Sequence, residues 1–152
     1  MKTVITYGTF DLFHIGHLRI LERLRQLGDR LVVGVSTDEF NSIKGKQSIY
    51  SYQERAAIVE ALSCVDLVIP EDNWQQKQQD IQHYTVDIFG IGSDWQGKFD
   101  ELESLCQVVY LPRTPTISTT ELKKSLSKVD AQSISQIKQG LDSVLNLVKA
   151  LE

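Results

Sequence analysis

Cysteine and long hydrophobic runs are scarce in this sequence, and each absence excludes a class of protein. Cys64 and Cys106 are the only cysteines, and neither lies in a CxxC or zinc-ligand spacing. We therefore expect two reduced thiols in the core rather than a disulfide framework. The N-terminal apolar run is too short for a secretory signal, and no stretch is long enough to span a membrane. The sequence predicts a cytoplasmic protein without a membrane span.

An excess of positive charge is also absent. The 16 Lys and Arg residues are outnumbered by 20 Asp and Glu residues, which gives a formal net charge of −4 at pH 7. Domains that bind nucleic acid are usually basic, so nucleic acid is not an expected partner. A polyanionic ligand would have to be held by a local cluster of cationic side chains.

Five short segments rich in β-branched residues alternate with helical patterns along the chain. They are KTVITY, RLVVGVS, VDLVIP, VDIFGIG and QVVYLP. This alternation is typical of an α/β fold in which helices cover both faces of a parallel sheet. The sequence predicts a doubly wound, Rossmann-like sheet of five parallel strands over residues 1–128, followed by a helical extension over residues 129–152.

Several helices are marked by their first or last residues. The segment LRILERLRQLGD has apolar residues at helical spacing and a stop signal at Gly28. Ser51 with Glu54, and Ser118 with Glu121, have the spacing of capping boxes, which predicts a helix start at each place. Weaker helices are predicted for WQQKQQDIQHY and DELESLC.

The segment YGTFDLFHIGH lies where the first strand gives way to the first helix. Ligands of open parallel sheets bind at such strand ends, where helix N-termini offer free amides to anions. Gly8 and Thr9 follow the strand, and Gly16 lies near the first helical turn, where a missing side chain lets a ligand approach the backbone. His14 and His17 can offer imidazole N–H groups to one phosphate chain. A zinc site is the alternative, but no third ligand is evident, so the sequence favours a phosphate clamp.

Further motifs occur in the same order as in one known family. They are GTFDLFHIGH, VSTDEFN with KGK, the pair Glu54 and Arg55, VDLVIP, SDW, and YLPRT followed by ISTT. Over residues 1–127 the chain resembles the cytidylyltransferase family. The resemblance implies transfer of a cytidylyl group from CTP to glycerol 3-phosphate, giving CDP-glycerol and pyrophosphate for teichoic-acid-type or capsular polymers. It also implies a homodimer, and Mg²⁺ or another divalent cation that travels with the nucleotide.

Two other functions stay open. The same chemistry could act on another phosphorylated alcohol, such as phosphocholine, phosphoethanolamine or a sugar phosphate. The chain could also be a nucleotide-binding module without turnover, although its set of cationic residues favours an enzyme. The preference for CTP rests on the resemblance alone, because no short motif announces recognition of cytosine.

Nucleotidyl transfer is an in-line attack on phosphorus, so the protein must position two anions and stabilise growing negative charge. The residues predicted to act in catalysis are His14, His17, Lys44, Lys46 and Arg113. From composition alone, the KGK segment could equally be a solvated loop. The resemblance favours its contact with phosphate.

The positions at strand ends, together with the resemblance, predict two binding sets. The set for CTP is Gly8, Thr9, Phe10, His14, Gly16, His17, Asp94, Arg113, Thr114, Ser118 and Thr119. The set for the acceptor is Asp38, Lys44, Lys46, Arg55 and Trp74. Ser118 and Thr119 begin a predicted helix, so their hydroxyls and free amides could form a second anion seat.

Other positions allow more than one interpretation. Asp11 could hold Mg²⁺ directly or through water, or it could be a turn residue at the helix entry. Trp74 could contact the acceptor or simply belong to the core, and Asp66 is better explained by a structural ion pair. Family members often have glycine where this chain has Thr116. Pro115 and Thr116 could therefore change how the segment closes over CTP.

The C-terminal extension carries one apolar stripe. Its members recur at alternating steps of three and four residues: Ile134, Ile137, Leu141, Val144, Val148 and Leu151. This spacing predicts an amphipathic helix. The stripe could pack on the chain's own domain or form a helix pair between subunits. Because Gly140 lowers helix propensity, the stability of the helix must come from burial.

Overall fold

The computed structural model describes residues 1–115 and 118–151. The strands are β1 (Thr3–Gly8), β2 (Arg30–Ser36), β3 (Leu67–Glu71), β4 (Ile88–Gly92) and β5 (Gln107–Leu111). The helices are α1 (Ile15–Arg25), α2 (Asp38–Ile43), α3 (Tyr52–Glu60), α4 (Gln76–His83) and α5 (Thr119–Ala150). The strands form a five-stranded parallel sheet in the order β3-β2-β1-β4-β5. The predicted doubly wound sheet is confirmed.

Strand β1 lies at the centre of this sheet. It pairs with β2 on one side and with β4 on the other. The chain therefore winds one way from β1 to β3 and the opposite way through β4 and β5. Because ligands of such sheets bind where the strand order reverses, the segment after Gly8 occupies the expected binding position.

Both faces of the sheet are buried, each in its own hydrophobic cluster. Alternate residues of a strand point to opposite sides, so Ile5 and Tyr7 belong to one cluster and Val4 to the other. Helix α1 lies so close to the sheet that a Cβ atom at Gly90 would collide with the Leu24 side chain. This packing fixes where the strand ends lie.

The predicted capping boxes are present. Ser51 Oγ accepts a hydrogen bond from the Glu54 amide while the Glu54 carboxylate accepts one from the Ser51 amide, and Ser118 and Glu121 make the same pair. The DELESLC segment is helical, as predicted, and its helix is a short 3-10 helix, Asp100–Ser104. Few residues separate it from β5, and a short segment closes readily in i to i+3 hydrogen bonds.

Two predictions about structural residues are also confirmed. Asp66 accepts a hydrogen bond from the Leu31 amide at 2.8 Å and lies 3.2 Å from Arg25 Nε, which makes it part of a structural ion pair. Cys64 and Cys106 are free thiols that pack against the hydrophobic clusters. Burial raises the pKa of both thiols, so they remain protonated.

The chain divides into two compact units, Met1–Thr116 and Ile117–Glu152. The second contains α5, which is continuous over 32 residues, so the domain boundary predicted between residues 128 and 129 lies within a helix and stays a prediction. All members of the apolar stripe are at least half exposed: Ile134, Ile137, Leu141, Val144, Val148 and Leu151. Over the residues described, no helix is both long and apolar enough to cross a membrane.

Candidate active site

The loop after β1 has an unusual backbone. Phe10 and Leu12 have φ values of 54° and 46°, a left-handed conformation that is uncommon for residues other than glycine. The ring of Phe10 folds back over the end of β1, where a Cβ atom at Gly8 would lie only 2.8 Å from it. This close approach favours glycine at position 8, because a larger residue would displace the Phe10 ring.

Asp11 holds this loop against a second one. Its side chain is buried, and its two carboxylate oxygens accept hydrogen bonds from the amides of Ile49 and Tyr50 at 2.8 and 3.0 Å. The Thr9 hydroxyl donates to Asn41 Oδ1 at 3.0 Å in the same region. Paired backbone donors are sufficient reason for a buried carboxylate here, and the proposed metal contact of Asp11 stays a prediction.

His14 and His17 form the capping box of α1. His14 is the residue before the helix, and its Nδ1 accepts from the Gly16 amide at 3.0 Å, while His17 Nδ1 accepts from the His14 amide at 3.2 Å. The rings lie 4.0 Å apart, centroid to centroid. Because both Nδ1 atoms accept hydrogen bonds, the proton of each neutral ring is assigned to Nε2. The sequence predicted that the two side chains could donate to one phosphate chain, but not that they cap the helix.

Both histidines are held neutral at physiological pH. Burial lowers the pKa of His14. Burial, followed by the neighbouring His14, lowers the pKa of His17 to about 4, against a smaller opposing effect of Asp11. Neutral imidazoles with the proton on Nε2 are hydrogen-bond donors that bring no net charge.

Arg55 connects four segments of the chain at this sheet edge. Its guanidinium, fully buried, donates to the carbonyl oxygens of Thr9, Ser36 and Tyr50 and to Asp38 Oδ1, at 2.7 to 3.0 Å. The Tyr52 amide, together with Arg55, lowers the pKa of the Asp38 carboxyl. This bridging role was not anticipated, and the predicted contact of Arg55 and Asp38 with the acceptor stays a prediction.

The KGK segment brings two lysines to one cleft. Gly45 has a φ of 74°, so the turn between Lys44 and Lys46 favours glycine. Lys44 Nζ donates to Ser36 Oγ at 3.0 Å and lies 4.5 Å from the centre of the Phe40 ring. Burial lowers the pKa of Lys44 to about 8, partly offset by Glu71, which leaves the amine mostly charged at pH 7.

The cleft has a volume of about 660 Å³. Three of the five predicted acceptor residues line it, namely Lys44, Lys46 and Trp74. Asp38 and Arg55 are not among its lining residues. The full lining is Lys44, Lys46, Trp74, Gln75, Lys77, Gln78, Trp95, Lys98, Phe99, Glu101 and Leu102.

Lys77 and Glu71 belong to this cleft region and were missed in the sequence. Both are buried, and Lys77 Nζ lies 2.6 Å from Glu71 Oε2. The other carboxylate oxygen of Glu71 accepts from Ser36 Oγ at 2.6 Å and lies 4.0 Å from Lys44 Nζ. A signal for Glu71 existed, because it ends β3 at the ligand edge of the sheet. No sequence signal indicated that Lys77 is buried, because a lysine on a weakly patterned helix usually lies on the solvated surface.

Asp94 and Arg113 meet at the ends of the neighbouring strands β4 and β5. Arg113 Nη2 lies 3.2 Å from Asp94 Oδ2, and the two side chains are 68% and 64% exposed. Arg23 of α1 donates to the carbonyl oxygen of Pro112 at 2.8 Å and lies 3.5 Å from Thr114 Oγ1. An exposed pair of this kind adds little stability, so Arg113 can exchange its partner for a ligand anion at small cost.

The last predicted CTP contacts lie in the second unit. Ser118 is the N-cap of α5 and Thr119 its first residue. Thr116, where this chain departs from the family pattern, is outside the described residues. The contact of Ser118 and Thr119 with CTP stays a prediction.

The described residues offer no preformed metal cage. Within residues 1–115 and 118–151, no group of three or more His, Cys, Asp or Glu side chains is placed to hold a metal ion. Mg²⁺ commonly keeps several waters and binds through one or two carboxylates together with substrate phosphates. Asp11 could supply one carboxylate in that manner, but its oxygens already accept two amide hydrogen bonds.

Comparison with known proteins gives a consistent family assignment. The family described as "Cytidylyltransferase-like" matches residues 5–125. The chain is 57% identical to a glycerol-3-phosphate cytidylyltransferase of Bacillus spizizenii over 85% of this chain and 100% of that protein. It is 52% identical to the protein of the same name from Staphylococcus aureus, over 87% of this chain and 100% of that protein.

A solved structure supports the fold. A lipopolysaccharide core biosynthesis protein from Thermoplasma volcanium aligns with a TM-score of 0.64 at 27% sequence identity. The alignment covers 75% of this chain and 98% of that one. The similarity in fold therefore extends across nearly the whole of that protein.

Proposed function

The chain belongs to the cytidylyltransferase-like family, and we propose that it transfers the cytidylyl group of CTP to glycerol 3-phosphate, forming CDP-glycerol and pyrophosphate. One observation carries this proposal: relatives with that activity in their name are more than 50% identical over 98–100% of their length. The cleft beside the strand ends adds chemical support, because it gathers lysines suited to a phosphorylated acceptor.

The reaction needs no covalent enzyme intermediate. An oxygen of the acceptor phosphate attacks the α-phosphorus of CTP in line, the bond from that phosphorus to the oxygen bridging to the β-phosphate breaks, and pyrophosphate leaves. The protein therefore contributes positioning and electrostatic stabilisation.

We propose that the histidine pair stabilises the negative charge that develops on the α-phosphate. In the loop of residues 8–17, Nε2–H groups of His14 and His17 can donate to phosphate oxygens while their Nδ1 atoms hold the start of α1. Fixed donors need no reorganisation during the reaction, which is why such donors stabilise transition states effectively. Gly8 and Phe10 shape the backbone around this position. Thr9 donates to Asn41 and Gly16 donates to His14 Nδ1 beside it, and all four residues are proposed to contact CTP.

The remaining cations divide between the two substrates. Lys44 and Lys46 face the cleft and are proposed to hold the acceptor phosphate beside Trp74. Arg113 and Thr114 are proposed to hold the triphosphate, and the contact of Ser118 and Thr119 with CTP stays a prediction. When the nucleotide binds, Arg113 would leave its ion pair with Asp94 and contact a phosphate instead.

We also propose a cofactor, an assembly and a cellular compartment. Mg²⁺ would neutralise phosphate charge when bound with CTP, and Asp11 is the candidate protein carboxylate. A homodimer is implied by the family, and the cytoplasm is the expected compartment because CTP is made there.

Pyrophosphate release tests the proposal directly. The enzyme is supplied with each of the four nucleoside triphosphates and with a panel of glycerol 3-phosphate, phosphocholine, phosphoethanolamine and a sugar phosphate. We expect turnover with CTP and glycerol 3-phosphate above all other pairs. Equal rates with ATP would contradict the base preference, and tight CTP binding without any turnover would show a binding module instead.

A further inference from the structure

The ammonium group of Lys77 is enclosed by aromatic rings and a carboxylate. Its Nζ lies 4.5 Å from the centre of the Tyr7 ring, 5.0 Å from that of Trp74 and 5.5 Å from that of Phe99. Glu71 Oε2 completes the enclosure at 2.6 Å. We call these four residues, Tyr7, Glu71, Trp74 and Phe99, the cation cage.

A cage of this composition is suited to an organic cation. Aromatic faces attract ammonium groups through their negative quadrupole, and recognition of quaternary ammonium ligands is a common use of such rings. In this chain the cage is already filled by a residue of the protein itself. The Lys77 side chain is only 4% exposed, so its ammonium is held inside the cage rather than at its rim.

The cage lies on the wall of the proposed acceptor cleft. Lys77, Trp74 and Phe99 line that cleft, together with three other lysines and a single acidic residue, Glu101. The carboxylate of Glu71 is engaged by Lys77 and Ser36. A cationic ligand would therefore meet the positive charge of Lys77 and could not reach the carboxylate or the occupied ring faces.

We propose that Lys77 is a specificity-determining residue, which fills the cation cage and so excludes acceptors whose alcohol carries a positive charge. The cleft accepts a neutral polyol phosphate and rejects phosphocholine and phosphoethanolamine. This inference rests on the proposed function, since it specifies the acceptor of the same cleft.

The first test compares two acceptor analogues of equal size in the unmodified protein. Phosphocholine and 3,3-dimethylbutyl phosphate differ by one charge, because a carbon replaces the quaternary nitrogen. Each is measured as a competitive inhibitor against glycerol 3-phosphate at saturating CTP. We expect the neutral analogue to inhibit at a concentration at least about tenfold lower, because a like charge is repelled strongly in a partly buried site. Equal inhibition would overturn the proposal.

The second test removes the charge that fills the cage. Lys77→Met should shift the ratio of the two inhibition constants towards phosphocholine by about tenfold or more, because the rings and Glu71 become available to its cation. Lys98→Met is the matched control, since Lys98 lines the same cleft from an exposed position. The control should leave the ratio unchanged within about twofold. An unchanged ratio in folded Lys77→Met, or an equal shift in Lys98→Met, would overturn the assignment to Lys77.

Removing Lys77 leaves a buried carboxylate unpaired, which can prevent folding. The double variant Glu71→Gln with Lys77→Met removes both charges and keeps the rings, so it should fold and still shift the ratio towards phosphocholine. If neither variant folds, the comparison of the two analogues in the unmodified protein decides. Turnover of CTP with glycerol 3-phosphate is measured separately, so failure of the proposed function is distinguishable from failure of this inference.

Discussion

His17 Nδ1 accepts a hydrogen bond from the backbone amide of His14, so the second histidine of the pair holds the first in place. The Nδ1 of His14 then accepts from Gly16, which closes the capping box. Each ring thereby serves the helix with one nitrogen and keeps its ring proton on the other. Imidazole suits these positions because one rigid ring carries both an acceptor nitrogen for the helix and a donor nitrogen for a ligand.

Replacement of His17 tests its role in charge stabilisation. We expect His17→Ala to lower turnover by roughly 10²–10³, comparable to the loss of one fixed donor at a transition state, with a smaller effect on CTP binding. Steady-state kinetics measures the turnover, and a binding titration measures the affinity for CTP. Unchanged turnover, or release of bound zinc along with activity, would contradict the assignment.

Two control variants separate chemistry from helix stability. His17→Gln keeps a side chain that can complete a capping box, so it should retain the fold and still lose activity. His83→Ala removes the third histidine of the chain, which lies exposed on α4. That variant should keep its turnover within about twofold.

The low pKa of His17 predicts how stability depends on pH. In the unfolded chain this histidine takes up a proton near pH 6.5, whereas in the folded protein it stays neutral down to about pH 4. The unfolded state therefore binds more protons between these values, and stability should fall as the pH is lowered from 6.5 towards 4. Urea unfolding at pH 7 and pH 5 measures this loss. A loss of the same size in His17→Gln would assign it to other groups.

The pKa of Lys44 predicts a change in acceptor binding at alkaline pH. The amine loses its charge as the pH rises through about 8, so the KM for glycerol 3-phosphate should increase between pH 7 and pH 9.5. In Lys44→Arg the guanidinium remains charged throughout this range. The KM of that variant should therefore be nearly independent of pH, and a matching rise in both proteins would exclude Lys44 as the cause.

Arg55 and Arg113 should differ sharply in their effect on stability. Arg55→Ala leaves three carbonyl oxygens without this donor. Because a buried acceptor left unpaired costs about 1–3 kcal/mol, we expect a loss of about 3–5 kcal/mol in the free energy of unfolding. Arg113→Ala breaks only an exposed pair and should change that free energy by less than about 1 kcal/mol. Urea titration compares the two, and similar losses would contradict the bridging role of Arg55.

Truncation after Lys128 tests the C-terminal extension. The relative from Bacillus spizizenii aligns over its full length within 129 residues, so the shortened chain should keep its CTP site while losing solubility or oligomer stability. Light scattering and melting temperature are the measurements. A point variant refines the result: Leu141→Glu, on the apolar stripe, should act like the truncation, whereas Gln139→Glu should not. If both observables are unaffected, the extension is dispensable.

The sheet and the histidine motif were predictable because their signals are local. Alternating β-branched segments marked the strands, and the spacing of His14 and His17 after a strand marked the ligand edge. Arg55 shows where such reasoning stops. A sequence identifies a cationic side chain. Only the fold reveals that its N–H groups donate hydrogen bonds to carbonyl groups 5 to 46 residues away.

Lys77 illustrates the same limit from the opposite direction. A charged residue on a helix of low amphipathicity is most often solvated. Glu71 and Trp74 lie within six residues of Lys77, but Tyr7 and Phe99 come from distant parts of the chain. The burial of Lys77 depends on these two long-range contacts, which no local pattern reveals.

The bonds of Arg55 also set an order of events during synthesis of the chain. The carbonyl oxygens of Thr9 and Ser36 receive their guanidinium donor only once residue 55 has left the ribosome. A nascent chain grows from its N-terminus at roughly 5–20 residues per second, so the histidine loop waits seconds for the residue that secures it. Pauses in translation before Arg55 would prolong the exposure of that loop.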